Sequence, residues 1–351
     1  IMPASYPANG MGPEGLTADI VDCGTGFAED YEGKDVEGKI ALVGMDWEEG
    51  WIDNFTNEAW LHGAVALVTY SLTDYAQYSD DMMTIQTYAN VDRMPTVSIS
   101  VNQAKEIQAA IAAGNDQATL ILDNVLEPDQ GTTYNVVGRI AGRSSDQQII
   151  VSAHYDLFFK AFQDDSTAVG LVLAMAKGMV DSGYQPENDI LFVCHGAEEW
   201  GAIGSQYDWT TGAWEMIHTA HPEWAGKTIA MLNFELPGTY DGAQQWKISC
   251  VPEFANLAAA MAGEDGVFSQ PVNDVYPRGL DPVSVDTNTQ EDGISYRWHG
   301  VPYFINIPGF EGSWAEERYH TLADDRDTYS PDVMQTNLNN FGALAIYLDK
   351  T

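Results

Sequence analysis

Positive charge is what this chain has least of. Fifteen Lys and Arg stand against 52 Asp and Glu in 351 residues, a net charge of −37. A chain this acidic repels phosphates, so nucleic acid and anionic membrane surfaces are not expected as partners. No apolar run reaches the ~20 residues that a spanning helix needs, so no membrane insertion is expected. No signal peptide is visible, yet Ile1-Met2-Pro3 is not a natural start, which suggests a removed leader or N-terminal segment. Cysteine is scarce as well. Cys23, Cys194 and Cys250 lie far apart without a CxxC, which excludes a disulfide framework and a thiolate zinc site. Cys194 sits in an apolar run and reads as a small buried hydrophobe, while a single Cys23–Cys250 bridge stays open. The acidity fits a very soluble secreted protein or one from a salty habitat, and the sequence does not choose between them.

What is present is an ordinary globular interior. The chain is 45% hydrophobic, and its length suggests two domains. Up to about residue 127 it reads as short strands with glycine-rich turns and two helices. The strands are Ala18–Asp22, Gly38–Gly44, Ala64–Tyr70, Thr96–Ser100 and Ala118–Leu122. The helices are Trp51–His62 and Val101–Ala113, with apolar residues at helical spacing. No cluster with catalytic spacing appears in this half; Asp80 and Asp81 read as solvated loop, and His62 as a surface or capping histidine. Glu127-Pro128-Asp129-Gln130-Gly131 has the turn chemistry of a boundary, giving domains of 1–127 and 128–351.

Beyond the boundary, longer strands alternate with helices. Tyr134–Ile140, Gln148–Ala153, Asp189–Cys194, Thr228–Asn233 and Val301–Ile307 read as strands. Ser166–Ser182 reads as a helix, and a last one opens at Ser330-Pro331, with serine as cap and proline in the first turn, and runs to about Leu348. This order predicts an α/β domain with a doubly wound, mostly parallel sheet sandwiched by helices. Its strands end in polar residues, where open sheets of this kind carry their sites. The Asp189–Cys194 strand leads to Glu198 and Glu199. The strand through Val151 ends in His154-Tyr155-Asp156, and Asp164-Asp165 opens the following helix. The Met231 strand ends in Asn233-Phe234-Glu235, and the loop after the Phe304 strand carries Tyr319-His320-Thr321. Taken singly, each has a bland reading: a satisfied histidine for His154, a helix N-cap for Asp164 or Asp165, a loop acid for Glu235, a surface ring for His320. Taken together, two histidines and three carboxylates supply the nitrogen and oxygen ligands that suit two zinc ions, with Glu198 left over as a base.

Two resemblances follow from these residues. Gly24–Tyr31, Asp35–Ile40, His62-Gly63-Ala64-Val65 and Met94–Ile99 look like a protease-associated (PA) domain, a smaller, β-rich α/β module without catalytic residues. His154-x-Asp156, Asp164-Asp165, Glu198-Glu199-x-Gly201 with Gly204-Ser205, Asn233-Phe234-Glu235 and Tyr319-His320-Thr321 resemble the M28 family of zinc exopeptidases across most of residues 133–351. The resemblance implies two Zn2+ ions and a peptide substrate. His154 and Glu235 would complete one zinc site, Glu199 and His320 the other, and Asp164 would bridge them. Glu198 would be the general base. Asp156 would hold the second ring nitrogen of His154, and Asp165 would follow the bridge through an unusual, cis, peptide bond. A secreted, cell-surface or periplasmic location is implied in the same way; the oligomeric state is not.

The chain departs from the family in three respects. Glu235 stands where the family usually has aspartate, which would shift or weaken that zinc. The helical segments that usually open the catalytic domain are absent. Arginines that would bind a C-terminal glutamate are missing from Asn306-Ile307-Pro308-Gly309-Phe310, leaving Arg278 and Arg297, which also read as surface ion-pair residues. An aminopeptidase is therefore favoured over a carboxypeptidase or dipeptidase, a glutaminyl-cyclase-like transferase, or a receptor-like binding module without activity. Asp292, Trp200 and Trp314 are the further substrate-binding candidates, beside Arg278. His195 reads as packing at a strand end, and His218 and His299 show no partner pattern.

Overall fold

Alternating apolar runs and glycine turns give the chain two separate sheets. The computed structural model describes residues 2–3, 13–46, 49–72, 79–83, 94–122, 131–144, 146–201, 209–239, 246–250, 274–277, 291–308 and 317–351. Two units are distinguished, one of Ile1–Thr132, Trp200–Asp208 and Ala315–Ala323, the other of Thr133–Glu199, Trp209–Trp314 and Asp324–Thr351.

In the first unit, β1 (Met2–Pro3), β2 (Leu16–Asp22), β3 (Ile40–Met45), β4 (Ala66–Ser71), β5 (Thr96–Ser98) and β6 (Gln117–Leu120) form a sheet in the order β1-β5-β4-β3-β2-β6. Its four central strands run parallel, with β1 and β6 antiparallel at the edges. Every residue of β3 and β4 is buried, as parallel strands covered on both faces require. Among the described residues, α1 (Ala28–Tyr31), α2 (Ile52–Leu61) and α3 (Val101–Ala112) belong to this unit. A reciprocal cap starts α3. Ser100 Oγ accepts from the Gln103 amide at 3.2 Å while Gln103 Oε1 accepts from the Ser100 amide at 3.0 Å. His62 follows α2 as its cap, bonded to Glu58 at 3.1 Å and stacked on Tyr31. Asp80 and Asp81 are exposed and take bonds from Lys105 and Asn102. Cys23 is a free, buried thiol, so the Cys23–Cys250 bridge left open by the sequence is not formed.

The second unit carries seven strands in the order β12-β11-β13-β10-β8-β9-β7. They are β7 (Val136–Ile140), β8 (Gln148–His154), β9 (Asp189–His195), β10 (Thr228–Phe234), β11 (Trp246–Cys250), β12 (Asp274–Pro277) and β13 (Tyr303–Pro308). The pairs β9/β8, β8/β10 and β10/β13 are parallel, and β7 is antiparallel to β9. Side chains alternate across this sheet. Ile149, Val151, Ala153, Phe192, Leu232 and Phe234 face one core with α4 (Ala168–Ser182) and the last helix. Ile150, Leu191, Val193, Met231 and Tyr303 face another, with Ala213, Ile217, Trp224 and Tyr296. Apolar burial on both faces, at ~1.5–3 kcal/mol for each fully buried large aliphatic side chain, holds helices on either side.

The sheet confirms the expected doubly wound α/β class, with additions. A run of α5 (Thr211–Glu215) into a wide turn at Met216–Ala220, the short α6 (Asp292–Trp298), and strands β11 and β12 lie where no element was expected. The final helix, α7 (Pro331–Lys350), starts at the expected Ser330 cap, whose Oγ accepts from the Val333 amide at 3.3 Å. Chain order explains where a site belongs. From β8 the chain crosses to β9 on one side and then returns to β10 on the other, so the carboxyl ends of β8 and β10 flank a topological switch point.

Candidate metal centre

His154 ends β8 at that switch point and is 1% exposed. Its Nδ1 donates to the main-chain carbonyl of Asp156 at 3.0 Å. The neutral ring therefore carries its lone pair on Nε2, the tautomer suited to metal binding. Nε2 faces three carboxylates: Asp164 Oδ1 at 3.2 Å, Glu235 Oε2 at 3.5 Å and Asp165 Oδ2 at 3.9 Å. Glu235 stands just beyond β10 and is followed by Leu236 at a φ of +53°. Asp164 and Asp165, joined by a cis peptide bond, occupy the wide turn Gln163–Thr167 before α4. Donor atoms of His154, Glu198 and Glu199 also come within 4.8 Å of one another.

Asp156 meets the second ring nitrogen of His154, but mainly through its backbone. Its side chain lies 3.8 Å from His154 Nδ1, and the ring is held instead by its carbonyl. Its two carboxylate oxygens accept the main-chain N–H groups of Glu198 and Glu199, each at 3.0 Å. One residue thus orients the histidine with its backbone and fixes the Glu198-Glu199 turn with its side chain. That turn follows β9 through Ala197, whose φ of +57° is a left-handed conformation costly for an alanine. The Glu198 carbonyl accepts from the Thr210 amide at 2.6 Å.

Further residues hold the turns that carry the candidate ligands, and two of them, Asp324 and Glu291, were missed by sequence reasoning. Asp324 accepts the amides of Gln163 and Asp164 at 2.9 and 3.1 Å, and burial pushes its carboxyl up to about 6. Asp165 Oδ1 accepts from the Leu236 amide at 3.1 Å, tying the β8–α4 turn to the end of β10. Glu291 Oε2 accepts from Asn233 at 3.0 Å, and Asn233 in turn accepts from Ser152 at 2.7 Å. Asp324 and Glu291 sit in acidic loop sequence indistinguishable from solvated turns, so nothing local marked them.

The electrostatics are lopsided. One histidine faces Asp164, Asp165, Glu198, Glu199 and Glu235, all buried. Burial works against the His154 imidazolium, yet Glu235, Asp165 and Glu198 hold its pKa well above the ordinary value. Burial, opposed by His154 and reinforced by Glu199, Glu235 and Asp292, pushes Glu198 well above the usual carboxylate range. Asp165 is raised by burial and by Glu235, and its Oδ2 has no hydrogen bond. A histidine nitrogen and three carboxylates converge in buried space, with Asp165 Oδ2 left without a hydrogen bond, a donor set that a divalent cation would satisfy. The donors are imidazole nitrogen and carboxylate oxygen without sulfur, which fits zinc.

The remaining candidates divide. Asp292 is fully buried at the first turn of α6 rather than presented to solvent, and its field acts on Glu198 and Cys194. Trp200 is 46% exposed. His320 is buried, with a φ of +51° and its ring stacked on Tyr319 at 3.7 Å. Trp314, Arg278 and the Gly204-Ser205 pair lie outside the described residues. His195 packs at the end of β9 as expected: its Nδ1 bonds Asn135 Oδ1 at 3.1 Å and its Nε2 pairs with the Tyr296 hydroxyl at 3.3 Å.

The model for peptidase family M28 matches residues 135–345, and that for the PA domain matches 16–107. Aminopeptidase YwaD of Bacillus subtilis is 26% identical over 341 residues, covering 93% of this chain and 67% of that protein. Carboxypeptidase Q of Bos taurus is 26% identical over 210 residues, covering 56% of this chain and 43% of that protein. The chain thus spans less than half of one relative and about two thirds of the other. Among solved structures, BSAP, a zinc aminopeptidase from Bacillus subtilis, shares the fold with a TM-score of 0.71 at 20% identity, over 99% of this chain and 78% of that one.

Proposed function

Because the chain belongs to peptidase family M28, we propose that it is a zinc-dependent exopeptidase that removes residues from the free N-terminus of peptides. The observation that carries this reading is the buried His154 Nε2 facing three carboxylates, with Glu198 beside it on a clamped turn. His154 and Glu235 would hold one ion, Glu199 and His320 a second, and Asp164 would bridge; Asp165 is a further donor beside the first. When bound, zinc would polarise the scissile carbonyl and lower the pKa of the attacking water. Glu198 would take the proton from that water at its carboxylate and deliver it to the leaving amine nitrogen. Asp156 would act as a positioning residue for Glu198 and Glu199.

The aminopeptidase reading is favoured by likeness to YwaD along nearly the whole chain. The likeness to carboxypeptidase Q keeps a second reading, cleavage from the C-terminus. Residues 1–127 would be the PA domain and 128–351 the catalytic one, with Trp200, Trp314, Asp292 and Arg278 near the substrate and the whole protein secreted or at a cell surface. The deciding experiment is a mass-spectrometric time course on peptides with free and blocked termini, with and without a zinc chelator. Chelator-sensitive loss of residues from free N-termini is expected. Loss from C-termini would overturn the aminopeptidase reading, and no cleavage by folded, zinc-loaded protein would overturn the enzymatic one. Metal analysis of the active protein should return two zinc ions per chain.

A further inference from the structure

Two histidines without a partner pattern in the sequence, 81 residues apart, meet on the far side of α6. His218 lies in the turn after α5, and His299 caps the C-terminus of α6. His218 Nδ1 and His299 Nε2 are 2.9 Å apart. His299 Nδ1 donates to the Ser295 carbonyl at 2.7 Å, so the neutral ring turns a lone pair on Nε2 toward His218. That is the arrangement that fixes tautomer and orientation in histidine ligands. Trp214 holds both rings: it stacks on His218 with centroids 4.8 Å apart and meets His299 edge-on at 4.9 Å. Trp298 closes the group edge-on to Trp214 at 6.1 Å.

We propose that His218 and His299 form a second, surface chelate for a divalent transition-metal ion, separate from the M28 centre. At 2.9 Å His218 Nδ1–H donates to His299 Nε2, and an ion bound between the two nitrogens would take the place of that shared proton, which moves to His218 Nε2. Paired imidazole nitrogens suit Cu2+ and Ni2+. His218 is exposed, so water has access to the remaining positions of a bound ion. The C-terminal end of α6 adds a favourable partial negative charge. Among the described residues no third His, Cys, Asp or Glu joins the pair, so the chelate is bidentate.

The test uses the full chain, zinc-loaded and freed of excess metal. It is titrated with Ni2+ in a calorimeter and with Cu2+ under electron paramagnetic resonance. One added equivalent per chain is expected, with a copper spectrum split by two imidazole nitrogens. His218→Asn should weaken the added site at least about tenfold and remove one nitrogen from the spectrum. Zinc content and peptide turnover should stay unchanged in that variant. His299→Asn should do the same, but it also loses the bond to Ser295, so the exposed His218 variant decides. No added equivalent in the wild type, or equal binding and an identical spectrum in His218→Asn, would overturn the proposal and leave the pair as a hydrogen bond.

Discussion

Asp156 divides its work between backbone and side chain, and that division can be tested. Its carbonyl orients His154, while its carboxylate accepts both N–H groups of the Glu198-Glu199 turn. Asp156→Asn keeps the carbonyl but replaces one acceptor oxygen with an NH2 facing an N–H donor. The expected result is a kcat lower by about 10–100-fold, with KM and zinc content nearly unchanged. A loss of zinc from the His154 site would show that the side chain, not the carbonyl, holds the ring. Glu198→Gln is expected to keep its zinc and lose at least about 10²-fold in kcat; near-normal turnover would remove Glu198 from the mechanism. His195 gives a stability signal instead. Burial and the charge of His154 lower its pKa to about 3, so the folded protein holds it neutral. The unfolded chain binds that proton below about pH 6.5, the folded protein only near 3, and stability therefore falls as pH drops through that window, by up to about 1.4 kcal/mol per pH unit. His195→Gln cannot take up the proton. Urea midpoints of the variant measured between pH 6.5 and 4 should fall less steeply than those of the wild type.

At the scale of the element, the turns rather than the strands limit what can change. Gly212 opens α5 against Gly196, which precedes the Glu198 turn. A Cβ on Gly212 would sit 1.7 Å from the Gly196 carbonyl oxygen, a backbone atom that cannot move aside. Gly212→Ala is expected to destabilise the fold by about 2–4 kcal/mol and to reduce activity by shifting that turn. Gly178, inside α4, has open space where a Cβ would go, so Gly178→Ala should stabilise by about 1 kcal/mol. Denaturant titration of the pair checks both signs. The same contrast explains what could be read beforehand. β3, β4, β8, β9 and β10 were legible because each is a run of apolar residues buried on both faces, and α3 because its apolar residues fall at helical spacing. α6 was not, since Asp-Gly-Ile-Ser-Tyr-Arg-Trp is too short for a helical period to emerge. Neither were β11 and β12, which at five and four residues are too short for an alternation to stand out from the polar sequence around them. The residues proposed as ligands stood out by their places after strands. The second acceptor role of Asp156, the clamp from Asp324 and the meeting of His218 with His299 depend on contacts between distant segments that no local pattern encodes.

Over the whole molecule the excess of 37 negative charges acts on folding and on substrate in opposite directions. Carboxylates crowded into a compact state repel one another, and the unfolded chain relieves that repulsion by expanding. Salt shortens the reach of the field from about 30 Å at 0.01 M to about 3 Å at 1 M, so stability should rise with ionic strength. Substrate capture follows the same field with the other sign. A peptide with a free N-terminal ammonium and lysine or arginine side chains is drawn toward a polyanion, and its kcat/KM should fall as salt is added. An acidic peptide of the same length is repelled, and its kcat/KM should rise. The difference should lie mainly in kcat/KM, since steering alters encounter rather than the chemical step. Measuring both peptides from low to ~1 M salt, within the range where the urea midpoint shows the protein folded, separates the effects. Parallel slopes for the two peptides would mean that the field at the site is set by bound metal and local residues, and that the surface charge serves solubility alone.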